Sequence, residues 1–285
     1  MTHAWMPASP CGPGCLGGQE PTVGRLLRFL RITAVIVVVF LSLLSMLLLP
    51  VIGRNGRNWV TRNIFRGVLL AMGVRLVVHG RIPGPGRGAV VVNNHTSWLD
   101  IVAINAARPM RAVAKKDIAS WPVLGWLVTA AKSVYVDREN IRSLPATVDA
   151  LADALRGGAM VNVTPEGTTW CGLTHGRFRP AMFQAAIDGG VPVLPVALRF
   201  RMTDGATTTA PAFIGDETII DAVLRTAALK GLVLEVHVLD EIAPGRAADR
   251  RELARLAERA VDGVLMPAAL PAENHWTSRV VEVAP

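Results

Sequence analysis

Residues 32–53 carry no charged side chain, and positions 32–49 are almost solidly aliphatic. Eighteen helical residues rise roughly 27 Å, close to the hydrocarbon thickness of a bilayer. A chain with such a segment must bury it in a large core or lay it against lipid. About thirty residues precede the run, and Leu47-Leu48-Leu49-Pro50 lacks the small-residue site of a cleaved signal peptide. The expectation is a membrane-inserted or re-entrant anchor, with Pro50 and Gly53 marking its exit. A buried core helix is the competing reading, weaker at this length.

Charge supports the lipid reading. The formal net charge is +8, yet no Asp or Glu lies between Glu20 and Asp100. That interval holds Arg25, Arg28, Arg31, Arg54, Arg57, Arg62, Arg66, Arg75, Arg81 and Arg87, and the remainder is close to neutral. Arginines bracketing an apolar span suit an anionic lipid surface. Nucleic acid also attracts basic chains, but no helix-turn-helix, zinc finger or aromatic-basic sheet motif appears, so no nucleic-acid partner is expected. Both flanks are positive, so orientation is not fixed by charge. Residues 58–72 read as a further helix with an apolar arc of Val60, Ile64, Val68 and Met72, either interfacial or packed on the domain.

The expected organisation is a disordered Gly/Pro-rich tail (1–24), an anchor with its interfacial helix (25–73), a folded domain (74–266) and a C-terminal tail (267–285). Within the domain, β-rich runs at 75–79, 89–93, 111–114, 133–136, 160–163, 193–199 and 232–239 alternate with helical stretches. Those helices are expected at 101–107, 122–131, 144–156, 180–188 and 249–265. Near-continuous Val/Ile/Leu strands fit an α/β fold: one mostly parallel or mixed sheet flanked by helices, behind the anchor. Cys11, Cys15 and Cys171 make no disulfide framework, and Cys11 and Cys15 have no second ligand pair nearby in sequence, so no metal site is expected.

Two turns carry candidate chemistry. Strand 89–93 runs into Asn94-His95-Thr96-Ser97-Trp98-Leu99-Asp100. A His titrates in the range a general base needs, and a carboxylate on its other nitrogen would fix the tautomer. On spacing alone, Asp100 reads equally as a helix N-terminal residue and His95 as a turn histidine. Strand 160–163 runs into Thr164-Pro165-Glu166-Gly167-Thr168. There the carboxylate either binds something or braces the loop, and Gly167 permits close approach or positive φ.

Together these motifs resemble the glycerolipid acyltransferase family, whose best-known bacterial members are 1-acylglycerol-3-phosphate acyltransferases. Asn94 to Asp100 match its Asn-His-x-Ser-Trp-Leu-Asp motif. Val134-Tyr135-Val136-Asp137-Arg138 looks like the second motif, Pro165 to Thr168 are the Pro-Glu-Gly-Thr motif, and 191–196 the Val-Pro-Val-x-Pro-Val strand. The resemblance implies that His95 is the base for the acceptor hydroxyl, with Asp100 holding its ring. It implies direct attack on acyl-CoA or acyl-carrier protein as co-substrate, with no bound cofactor. That agrees with the absence of a Gly-x-Ser-x-Gly nucleophile motif. It further implies that Arg138, with Lys115 or Lys116, binds an anionic head group, and that Glu166, Gly167 and Thr168 shape the acceptor site. The strand at 191–196 would line the acyl chain or support the site.

The pattern departs from the family after Pro-Glu-Gly-Thr. Where many members continue with Arg-Ser, this chain has Thr169-Trp170, and Arg177 or Arg179 would have to substitute. Lysophosphatidate is the acceptor the resemblance implies first. A lyso-ornithine lipid, another acceptor, or a silent lipid-binding role are the alternatives. The expected location is the cell membrane, with the domain facing the cytoplasm and membrane lipids as partners.

Overall fold

Val90, Val91 and Val92 are inaccessible to solvent, as consecutive β-branched residues must be when both faces of a strand are covered. In the computed structural model, residues 6–48, 51–84, 86–266 and 281–283 are described. The expected exit at Pro50 and most of the C-terminal tail lie outside them. The strands are β1 (Arg75–His79), β2 (Ala89–Asn93), β3 (Arg111–Lys115), β4 (Val134–Val136), β5 (Met160–Val163), β6 (Val193–Met202), β7 (Leu232–Val238) and β8 (Val281–Val283). They form one sheet in the order β4-β3-β5-β2-β6-β7-β1-β8. Pairing from β4 through β6 is parallel, β7 runs antiparallel to β6, and β1 is parallel to β7. The mixed sheet expected from the strand composition is therefore present.

The helices are α1 (Arg25–Leu48), α2 (Arg54–Met72), α3 (Leu99–Ala107), α4 (Leu124–Ala130), α5 (Leu144–Arg156), α6 (Phe183–Gly189), α7 (Ile219–Ala228) and α8 (Arg250–Leu265). Alternation along the strands divides the core in two. Val91, Leu194, Val196 and Leu198 face Leu69, Met72, Leu99, Ile104 and Ala227 on the side of α2, α3 and α7. Val90, Val92, Val193 and Ala197 face Leu151, Leu155, Phe183, Ala186, Leu253 and Val261 on the side of α5, α6 and α8. Both faces are covered, as parallel βαβ crossovers require. Within the stretch 191–196, Val193, Leu194 and Val196 are buried against helices on the two faces of the sheet.

The first helix is long and apolar enough to cross a membrane: Arg25–Leu47 has a mean hydropathy of 2.5, with only 6% of the window buried. Its two sides differ. Ile32 and Val35 pack on the core, Val38 lies against Gly67 of α2, and Arg31 Nη1 donates to the carbonyls of Ala227 (3.1 Å) and Leu229 (2.6 Å). Phe29, Leu30, Ile36, Val37, Phe40, Leu41, Leu44 and Leu47 are exposed. The helix at 58–72 is longer than expected, beginning at Arg54, and packs against α1 and α3.

Three elements differ from the sequence expectation. The leading segment, expected to be disordered, lies along the domain over residues 6–24. Gly17 N–H donates to Thr209 Oγ1 (2.8 Å), Thr208 Oγ1 to Glu20 Oε1 (2.5 Å), and Val23 N–H to the Ala228 carbonyl (2.8 Å). A Gly/Pro-rich composition cannot build its own core, but it can dock on one through backbone amides. Helix α7 was not anticipated, although Thr218 and Asp221 form a reciprocal capping box at its start. Strand β8 joins the edge at β1, antiparallel, within the segment expected to be only a tail.

Candidate active site

The connection from β2 runs through α3 on one face of the sheet to β3, while that from β5 runs through α6 on the other face to β6. The crevice between β2 and β5 is therefore a topological switch point, where open α/β sheets bind ligands at their carboxyl ends. The two motif turns leave β2 and β5 at this place.

Chain geometry after β2 is set by side chains standing in for the ladder. Asn94 Nδ2 donates to the Leu198 carbonyl (2.9 Å) and its Oδ1 accepts from Leu198 N–H (2.8 Å). Ser97 Oγ donates to the Pro211 carbonyl (2.6 Å). The turn then enters α3, whose first-turn carboxylate reaches back. Asp100 Oδ2 accepts from the amides of Thr96 (2.7 Å) and Ser97 (2.8 Å), as a capping carboxylate does. The same oxygen meets His95 Nδ1 at 2.9 Å. The helix-terminal reading and the orienting reading of Asp100 are thus one arrangement. Asp100 is buried, and the His95 side chain is 26% exposed. A carboxylate accepts only, so Nδ1 carries the hydrogen and Nε2 is left as the basic nitrogen.

The second turn braces the first. Glu166 Oε2 accepts the His95 backbone N–H at 2.9 Å, and Trp170 N–H donates to the His95 carbonyl at 2.8 Å. Glu166 is 3% exposed. Burial drives its carboxyl up to about 8, against the pull of the His95 and Gly176 amides, and nearby Asp100 and Asp262 add to the rise. Glu166 thereby braces the backbone at His95. Gly167 has φ +77°, and a Cβ there would come within 2.6 Å of the Pro7 ring. Helix α8 backs the loop: Glu258 Oε2 accepts Phe178 N–H (3.1 Å), and Asp262 pairs with His175 (3.2 Å).

The cationic candidates lie along the same edge. Lys115 ends β3 and pairs with Asp117. Lys116 reaches Asp137 Oδ2 at 3.2 Å, and Asp137 Oδ1 caps the amides of Glu139 and Asn140. Arg138 is half-buried, and Asp117 is the carboxylate that favours its charge against desolvation. The backbone N–H of Arg179 donates to the Pro165 carbonyl (2.9 Å), and its Cδ lies 3.8 Å from where a Gly167 Cβ would stand. Arg177 and Arg179 are exposed, and Thr168 is half-buried in the turn. The fold thus joins His95, Asp100, Glu166, Gly167 and Arg179, while Lys115 and Lys116 sit at the end of β3 and Arg138 follows β4, further along the edge.

Sequence reasoning missed the loop after β6, whose Pro211 carbonyl and Phe213 N–H hold Ser97 and Thr96. Nothing in its composition marks that role. It also missed the approach of Cys171 to Cys11 and Cys15, from which it is distant in the chain. Among the described residues a surface depression lies elsewhere, beside Gln184, Ile187, Asp249 and Arg251, and no motif residue lines it.

Residues 75–199 match the family model described as Acyltransferase. A 1-acyl-sn-glycerol-3-phosphate acyltransferase of Neisseria meningitidis is 34% identical over 209 residues, covering 73% of this chain and 82% of that protein. A lyso-ornithine lipid O-acyltransferase of Pseudomonas aeruginosa is also 34% identical, over 67% of this chain and 72% of its own. The crystal structure of the 1-acyl-sn-glycerophosphate acyltransferase of Thermotoga maritima superposes with a TM-score of 0.65 at 20% identity, covering 87% of this chain and 97% of that one, a likeness of fold.

Proposed function

The chain belongs to the glycerolipid acyltransferase family, and from that premise we propose that it acylates the free hydroxyl of 1-acylglycerol-3-phosphate, giving phosphatidic acid. The observation that carries the mechanism is the 2.9 Å contact of His95 Nδ1 with buried Asp100. His95 Nε2 takes the acceptor's hydroxyl proton as the oxygen bonds to the carbonyl carbon of an acyl thioester. Collapse of the tetrahedral intermediate breaks the carbon–sulfur bond, and the imidazolium returns its proton to the departing thiolate. Asp100 fixes the tautomer and stabilises the transient cation. The donor is acyl-CoA or acyl-carrier protein, and the reaction needs no bound cofactor.

Arg179 beside Gly167, with Arg138 and Lys115 along the edge and Arg177 nearby, supplies cations for an acceptor phosphate. Thr169 and Trp170, standing where many members carry Arg-Ser, favour a second reading in which the acceptor is a lyso-ornithine lipid. A membrane location fits the exposed apolar side of α1. Its other side is held by Arg31, Ile32, Val35 and α2. A helix clamped to the domain along one side dips into a leaflet rather than standing alone in lipid. Helix α4 touches α1, and Trp126 within it and Trp121 just before it are exposed, as interfacial aromatics are. The domain is then on the cytoplasmic side, where thioester donors are made.

The test is acyl transfer by detergent-solubilised wild type and His95→Ala, with labelled acyl-CoA and acyl-carrier protein offered against a panel of lyso-lipids. Transfer to lysophosphatidate that His95→Ala loses supports the proposal, and transfer to lyso-ornithine lipid alone selects the second reading. An inert wild type would return the chain to lipid binding.

A further inference from the structure

The acyl transfer makes no use of the chain's three cysteines, yet the fold gathers them beside its site. The sulfurs of Cys11, Cys15 and Cys171 all lie within 4.8 Å of one another, and none is in a disulfide. Cys11 and Cys171 are buried, and Ala212, Ile214, Leu16 and Trp170 enclose the group. Every sulfur is approached by a backbone amide. Cys171 N–H points to Cys11 Sγ at 3.4 Å, the Gly12 amide serves Cys15, and the Thr174 and Leu173 amides serve Cys171. Amides aimed at sulfur stabilise thiolate, the form in which cysteine binds metals.

Three thiolates this close repel one another unless a cation lies among them. Two sulfurs bound tetrahedrally to one zinc at about 2.3 Å sit roughly 3.8 Å apart, so the present spacing needs only a small contraction. The Thr174 hydroxyl lies 3.9 Å from Cys11 Sγ and 3.8 Å from Cys171 Sγ, and a water would complete the tetrahedron that three sulfurs leave open. A disulfide would instead leave one of three sulfurs over and require an oxidant.

We propose that Cys11, Cys15 and Cys171 hold a structural Zn²⁺ that clips the leading segment onto the loop behind His95. Binding converts three thiols to thiolates and releases three protons, with no change of oxidation state. The clip joins elements that already meet at the acyl-transfer site. Pro7 lies against Gly167, Trp170 N–H holds the His95 carbonyl, and Gly17 and Glu20 bind Thr209 and Thr208. The metal therefore fixes the position of residues 7–20 over the Glu166 turn and takes no part in the transfer.

The experiment uses the full chain in detergent under reducing conditions, dialysed against Zn²⁺ and then freed of loose metal. About one zinc per chain is expected by elemental analysis, with cysteines that react with a thiol reagent only after a strong chelator is added. Hydrogen exchange of residues 7–20 should speed up on chelation while that of β2 and β5 holds. Cys171→Ser and the less buried Cys15→Ser should each lose the zinc, and the wild-type measurements stand even if a variant fails to fold. Three thiols that react freely after dialysis, with no bound zinc, overturn the proposal. A disulfide found by mass under these reducing conditions does so as well.

Discussion

Around His95 the amides of residues 95, 96 and 97 all end on buried carboxylates, Glu166 and Asp100. Further along the same sheet edge, after β3 and β4, Lys115 and Lys116 rest on the partly exposed carboxylates of Asp117 and Asp137. The first region is preorganised by hydrogen bonds that cannot exchange with water, and the second by ion pairs that solvent and salt weaken. On the proposed mechanism the proton-transfer group is built in advance, and head-group recognition would fall to cations that can change partners when an acceptor arrives.

The contrast breaks most sharply at the base. His95→Ala should lower kcat by about a hundred- to ten-thousand-fold with little change in thermal stability, measured by steady-state acyl transfer and a melting curve. An active variant would remove His95 from the mechanism. Asp100→Asn comes next, with a loss of about a hundredfold or more in kcat as the ring loses its orienting charge. A melting temperature that falls as well would show the same residue holding the turn through Thr96 and Ser97.

On the open side the effects should be smaller and of another kind. Arg179→Ala and Arg138→Ala should each raise KM for a phosphate-bearing acceptor by about tenfold with kcat nearly kept, the signature of lost ground-state binding. Raised ionic strength should weaken acceptor binding in wild type more than in these variants. If kcat falls and KM holds, the cations act on the reaction rather than on recognition.

The smallest effect concerns the brace. Glu166 has a folded value of about 8, above the ordinary 4.5. A raised folded pKa means that the stability tied to its proton is complete below about 4.5 and is lost as pH rises towards 8. Glu166→Gln keeps an acceptor for the His95 amide and cannot ionise. Its melting temperature should gain on wild type by a few degrees across that window. Parallel curves would mean that Glu166 is already ionised in the folded protein.

The amino-acid sequence by itself determined the seven strands from β1 to β7, because consecutive Val, Ile and Leu residues have nowhere to go but a doubly covered sheet. It determined the apolar α1, whose length and lack of charge are local properties. It also marked His95 and Asp100, since a turn of a few residues brings them together without help from the rest of the chain. Only the tertiary structure decided that Glu166 reaches the His95 amide, that Pro211 holds Ser97, and that residues 6–24 dock on the domain. It alone brought Cys171 to Cys11 and Cys15. Those contacts join residues distant in the chain, and each depends on the order of β5, β2 and β6 in the sheet. Local pattern fixes what a segment is; which segments meet is settled by the packing of the whole.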